Sequence, residues 1–231
     1  MFNNDTKKIK SSKIIGIQFS VLSPQDIRKG SVAEINTRDT YINNKPVLNG
    51  LFDPRMGVIE AGLICPTDGL DYIQTPGYFG HIELARPVFY IQYINTLIKI
   101  LRCICIKCGK LKLSKKKYDF LLNKSPKKRW DFIFSHANKI KRCGAETEDG
   151  CGCKQPKKIY KQDLSEIYAE WENTDGIKNA EGDVNSKPTI KLTAETVLRI
   201  LKRMSNEDIE FMGFSPVWSR PEWFICQVLA V

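Results

Sequence analysis

The 231-residue sequence predicts an α+β fold: an irregular module of helices and short strands that needs bracing beyond its own core. Three observations lead there. Stretches with apolar residues at every second position are interleaved with stretches at helical spacing, so both strands and helices are expected. Residues 36–80 carry neither period and are rich in Gly, Pro, Asn and Asp, so they read as mostly loop. Such a long irregular stretch in a compact domain calls for a staple or a partner. Finally, six of the eight cysteines fall between residues 103 and 153.

Residues 1–12 are polar and Lys-bearing, with no apolar core segment of a signal peptide, and are expected to be a flexible tail. Ile15, Ile17, Phe19 and Val21 alternate within residues 14–22, the period of a half-buried strand. Ser23-Pro24 is a helix cap followed by proline at the first helical position, and Gly30 stops that helix early. A short strand is predicted over 32–35 and a longer one over 82–89. Apolar residues at 91, 94, 97, 98 and 101 predict a helix over 90–102. Two more helices are predicted, over 114–123 and 125–140. The second opens on Ser125-Pro126 and should bury Trp130, Ile133, Phe134 and Ala137. Residues 172–188 are polar and acidic and are expected to be an exposed loop. Thr193 caps a helix bearing Val197, Leu198, Ile200, Leu201 and Met204 on one side. Ser205 and Asp208 repeat the cap chemistry, and Gly213 ends that last helix.

At 42% hydrophobic the chain can build a real core, and 27% charged residues is ordinary. The net charge of +10 is not, and it favours a polyanionic partner. Residues 99–142 hold 15 Lys and Arg against two acids, Asp119 and Asp131, so one segment supplies the whole basic excess. A solvated helical face and a phosphate-contacting surface both fit such a run. The longest apolar run, 87–98, is too short to cross a bilayer, so no membrane partner is expected.

With an intracellular setting, closely spaced cysteines bind metal more often than they form disulfides. Cys105-Ile106-Lys107-Cys108 places two thiolates one tight turn apart, and Gly109 lets backbone N–H groups approach the sulfurs. A closed structural zinc site needs four ligands. Cys143 offers a third, and either Cys151 or Cys153 a fourth, with the intervening helices forming an excursion that returns to the metal. The stripe position of Cys103 makes it the end of the preceding helix, and Cys65 reads as a lone structural cysteine.

Five stretches, in order, resemble one family. Residues Asn49 to Gly57 (NGLFDPRMG) are similar to a "GGLxDPRLG" stretch, and Pro76 to Phe89 (PGYFGHIELARPVF) to "PGHFGHIxLAxPVF". Cys105 to Lys110 matches "CxxCGK". Cys151-Gly152 with Gln155-Pro156 resembles "CGxxQP". Gly213-Phe214 with Ser219 to Trp223 resembles "LGF…SRPEW". The family is the largest subunit of multisubunit DNA-directed RNA polymerases of the eukaryotic and viral type, and the likeness runs from about Lys13 to the end of the sequence.

The resemblance implies a zinc-stabilised clamp-core module over residues 13–231, with a zinc-bound arm at about 103–156, which is not an independent catalytic fold. It implies one structural zinc on Cys105, Cys108, Cys143 and Cys151, favouring Cys151 over Cys153. It implies the polymerase's other subunits, DNA and the RNA–DNA hybrid as partners. In many relatives a first zinc sits on three cysteines and a histidine. Here Cys65 keeps the first position, while Asp68, Thr75 and Tyr78 take the others, and His81 matches a non-ligand histidine. That first site is expected to be lost, with Tyr72, Ile73, Tyr78 and Phe79 packing the loop instead. No "NADFDGD"-like run is present, so the resemblance assigns no catalytic residue and leaves catalytic magnesium to the rest of the subunit. The nuclear setting of such a polymerase is expected, or cytoplasm and virion for a viral lineage, which the Lys-, Ile- and Asn-rich composition would suit.

The expected mechanism is clamping through Lys110, Lys112, Lys115, Lys116, Lys117, Lys127, Lys128 and Arg129, because phosphate contacts hold nucleic acid without reading its sequence. The main rival is a free-standing zinc-ribbon protein that binds nucleic acid alone. An enzyme in its own right is disfavoured. There are two histidines, His81 and His136, with no nucleophile motif and no Gly-rich phosphate loop. Phe214, Val217, Trp218, Trp223 and Phe224 are either core or a surface for other subunits.

Overall fold

The computed structural model describes residues 12–17, 19–172 and 188–231, and it is α+β. The tail expected over 1–12 and the acidic loop expected over 172–188 lie almost entirely outside the described residues. Helix α1 (Pro24–Gly30) starts as read: the Ser23 hydroxyl accepts from the Asp26 backbone N–H. Strand β1 (Ala33–Glu34) follows, then a tiny hairpin of β2 (Tyr41–Ile42) and β3 (Lys45–Pro46). The hairpin turns on Asn43 and Asn44, both at positive φ (51° and 59°), as a two-residue primed turn requires.

Strand β4 (Gly80–Phe89) is the centre of the first sheet. It pairs parallel with β1 and antiparallel with β8 (Ile225–Ala230), with a register shift between Glu83 and Val88. Helix α2 (Ile94–Cys103) buries Ile94, Leu97, Ile98, Ile100, Leu101 and Cys103. It packs with α3 (Pro126–Ala137) and α4 (Ala194–Leu201) into one apolar cluster. A second sheet of β5 (Lys158–Gln162), β6 (Glu166–Glu170) and β7 (Thr189–Leu192) adds Ile159, Ile167, Ala169 and Leu192 to that cluster. Helix α5 (Asn206–Phe211) is capped by Ser205, and Gly213 at φ +92° closes it. Among the described residues no helix is long and apolar enough to cross a membrane.

Three expectations are corrected. The described residues among 14–22 form no strand: Ile15 and Phe19 are 98% and 96% exposed. Alternation makes a strand only where a neighbour supplies hydrogen bonds and a face to cover, and no described strand pairs with this segment. Residues 114–123 form turns and a short 3-10 segment over Asp119–Asn123 rather than a helix. Leu121 is the segment's single buried apolar side chain, too little to hold an amphipathic helix down. The loop around Cys65 is not packed by Tyr72, Ile73 and Phe79, which are exposed.

The loop over 36–80 is held by buried polar contacts. Asp53, fully buried, accepts hydrogen bonds from the backbone N–H groups of Asn49 (2.6 Å) and Arg55 (2.9 Å) and from the Arg55 guanidinium (2.6 and 3.0 Å). Burial alone would raise the Asp53 pKa, but these donors hold it below its ordinary 3.8. Its stabilising contribution is therefore complete above the ordinary value and is lost as pH falls through the lower folded one. Replacing Asp53 by alanine strands several of these donors and is expected to cost about 1–3 kcal/mol. Urea unfolding at neutral pH measures this, and an unchanged midpoint would contradict it.

Candidate metal centre and its basic surroundings

Cys103 ends α2, and the chain turns at once into a tight knuckle. Cys105 donates its backbone N–H to Lys110 O, and Gly109 donates to Cys105 O, both at 2.9 Å. Gly109 sits at φ +77°, and a Cβ there would lie 2.8 Å from Ile200 O and 2.9 Å from Arg203 Cβ. Only glycine permits both the turn and this close seat against the end of α4. A second, wider knuckle spans 142–154: Cys143 donates to Cys153 O (2.9 Å), and Arg142 bridges to Lys154.

The two knuckles bring Cys105, Cys108, Cys143 and Cys151 together, with all four sulfurs within 4.8 Å of one another. Cys105 Sγ lies 3.5 Å from Cys151 Sγ, and Cys108 Sγ 3.7 Å from Cys143 Sγ. These separations are far beyond the ~2.05 Å of a disulfide. They match the ~3.8 Å edge of a tetrahedron with metal–sulfur bonds of about 2.3 Å. Cys153 stands outside the group, its thiol directed to Lys154 O. Cys103 is sealed in the core, where burial pushes its thiol up to about 12.

Burial also raises the Cys108 and Cys143 thiols, whereas the Cys153 backbone N–H pulls the exposed Cys151 down to about 7. A cation among them supplies the charge that partly buried thiols need in order to ionise. One residue ties both knuckles together and carried no role in the sequence reading beyond its place in a motif. Gln155, buried, donates from Nε2 to Cys105 Sγ (3.1 Å) and Cys153 O (3.0 Å), and accepts from Ile106 N–H at Oε1 (3.1 Å). A Gln155→Ala variant is expected to bind metal about 10–100-fold more weakly. Chelator competition measures this; an unchanged affinity would reduce Gln155 to a packing residue.

A near-copy of the first knuckle occurs at Cys65. Cys65 donates its N–H to Leu70 O (2.9 Å), and Gly69 donates to Cys65 O (2.8 Å), the same pattern as at Cys105. Asp68 stands where Cys108 stands. Its Oδ2 is taken by the hydroxyls of Thr75 (2.8 Å) and Tyr78 (3.1 Å), and its Oδ1 by the Leu70 N–H. Two hydroxyls, a carboxylate they already occupy and one buried thiol do not fit a tetrahedral metal. Hydrogen bonds, not the expected aromatic packing, close this loop.

The basic residues separate into groups. Lys116, Lys117, Lys127 and Lys128 are exposed. Lys110 pairs with Asp149 (2.8 Å), and Lys115 with Asp208 (2.9 Å) and Glu207 (3.0 Å). These pairs line a cleft of about 650 Å³ beside the knuckle, so its cations are largely neutralised. Lys112 is a correction: it is 4% exposed, and its ammonium donates to Ile140 O (3.1 Å). Burial lowers its pKa to about 8, and it braces the return of the chain to the second knuckle rather than facing solvent. Arg129 is half-buried, with Nε enclosed. His81 Nδ1 lies 2.7 Å from Ser31 Oγ, away from the four sulfurs, and His136 is half-buried on α3. Near the C-terminus Phe224 is core, while Val217 and Trp218 are exposed.

Comparison with known proteins gives the family of the chain. The family model described as "RNA polymerase Rpb1, domain 1" matches residues 11–231. The chain is 38% identical over 228 residues to a protein of Euplotoides octocarinatus described as DNA-directed RNA polymerase II subunit RPB1, covering 95% of this chain and 46% of that protein. It therefore spans about half the length of that curated relative. A match of this extent places the chain in the Rpb1 domain 1 family, as an N-terminal region of the largest subunit of DNA-directed RNA polymerase.

Proposed function

We propose that the chain is the clamp core of a DNA-directed RNA polymerase, a nucleotidyltransferase whose catalytic residues and magnesium lie in other parts of the subunit. The family match over residues 11–231 carries this reading. The four-thiol donor set fits one structural zinc: an all-sulfur tetrahedron with no position left open suits bracing rather than catalysis. Bound zinc supplies cross-linking that an arm with little core of its own needs.

The chain's own side chains do the rest. Gln155 orients Cys105, and Gly109 seats the knuckle on α4, so the arm is carried by the apolar cluster. Lys116, Lys117, Lys127 and Lys128 then contact phosphates of DNA and the hybrid without reading sequence. Lys110, Lys115 and Arg129 are secondary, since two are paired with acids and the third is half-buried. The compartment follows the polymerase, the nucleus in a eukaryote.

Affinity purification of the tagged chain from its own cells tests the assignment. Recovery with the other polymerase subunits in comparable amounts is expected. Recovery of the chain without those subunits would instead support a free-standing zinc-ribbon protein.

A further inference from the structure

A cluster of rings lies outside the metal centre. Tyr118 and Phe132 pack against the apolar cluster, and Phe120 contacts both (6.3 and 5.8 Å between centroids) while remaining 49% exposed. Its contacts are tilted and edge-on, at 57° and 82°, so no described aromatic ring lies parallel on Phe120. Phe132 stacks on His136 at 4.0 Å, and Leu122, two residues on from Phe120, is 51% exposed.

Cations frame this surface. Lys117 Nζ lies 5.1 Å from the Tyr118 ring centre, and Lys124 Nζ lies 5.3 Å from that of Phe120 and 5.9 Å from that of Phe132. Lys128 is one turn before Phe132 on α3, hence on the same face. Lys124 was not among the residues singled out from sequence.

We propose that Tyr118, Phe120 and Phe132, framed by Lys117, Lys124 and Lys128, form a stacking platform for single-stranded nucleic acid. The proposal rests on the nucleic-acid reading above and adds the form of the ligand. A duplex hides its base faces and offers only phosphates and groove edges to such a surface, whereas a single strand offers both faces and phosphates. Phe120, the half-exposed ring, takes a base once the Lys124 ammonium swings off its face, and the lysines take the flanking phosphates. A protein partner fits less well, because lysine is depleted from interface cores, and here ammonium groups sit over the rings themselves.

Fluorescence anisotropy on the full zinc-loaded chain tests this, with labelled dT15 and U15 as single strands and a 15-base-pair duplex as control. Phe120→Ala is expected to weaken single-strand binding about five- to tenfold and leave duplex binding nearly unchanged; Phe120→Trp is expected to restore it. Because Phe120 is half exposed, its truncation spares the core. The joint Lys127→Glu and Lys128→Glu variant should weaken both ligands. If Phe120→Ala leaves single-strand binding intact while the lysine variant weakens both, the platform is overturned and the phosphate reading stands. If the lysine variant weakens neither, the phosphate reading fails instead. Equal losses on both ligands with Phe120→Ala, or no single-strand binding by the unaltered chain, also overturn the platform. With 5-iodouracil in the single strand, cross-links are expected at Phe120 or Tyr118, and exclusive cross-linking elsewhere counts against it.

Discussion

The joint Cys105→Ser and Cys108→Ser variant is expected to lose its metal and the ordered packing of both knuckles. Structural zinc sites contribute an apparent ~10–16 kcal/mol at neutral pH, as much as the whole stability of an ordinary domain, about 5–15 kcal/mol. The second knuckle has little to fall back on. Cys143 and Cys151 are separated by a polar, acidic run, and that hairpin is tied by the Arg142–Lys154 bridge and by Gln155, whose bond to Cys105 Sγ goes with the sulfur. The apolar cluster of α2, α3, α4 and the second sheet does not run through the sulfurs. Hydrogen exchange should therefore show protection lost over 105–110 and 142–155 but kept in α2 and α4. Retained protection at both knuckles would contradict this.

Reversing the charge of Lys116, Lys117, Lys127 and Lys128 together is expected to have the largest effect on nucleic-acid binding. None of the four forms an ion pair among the described residues, so no ion pair there is lost by their replacement. If each neutralises one duplex phosphate, the slope of log affinity against log salt becomes shallower by about 3–4. Between 50 and 200 mM salt that is a difference of about 100-fold in salt sensitivity. In assembled polymerase, the same change should shorten the lifetime of elongation complexes. An unchanged salt slope would show that these lysines are merely solvated. Reversing Lys110 and Lys115 instead would confuse binding with folding, because their partners Asp149, Glu207 and Asp208 would then face like charges.

The helices were legible where chemistry was local. Ser23, Thr193 and Ser205 cap as read because each accepts from a backbone N–H three residues on. Helices α2 and α4 carry full apolar stripes. The thiols that converge were legible as well, since spacing alone puts Cys105 and Cys108 on one turn.

What failed depended on distant partners. Alternation over 14–22 says nothing about whether a neighbouring strand exists. Lys112 sits in a lysine-rich run, and only the Ile140 carbonyl, 28 residues away, makes it an internal brace. The β5–β6 hairpin was missed although Ile167 and Ala169 alternate with Glu166, Tyr168 and Glu170 and face the core. Five-residue strands with charged outer faces are easily taken for loop. The knuckle-like backbone at Cys65 was visible as CPTDGL beside CIKCGK, sharing Cys, spacing and Gly, and it was read only as the loss of a ligand set.

Metal content by native mass spectrometry tests the central claim most directly: four cysteine sulfurs hold one zinc that braces the basic arm. One zinc per chain is predicted, lost in the Cys105→Ser and Cys108→Ser variant and retained in Cys65→Ser. A metal-free chain, or a zinc ion that survives replacement of Cys105 and Cys108, would contradict it.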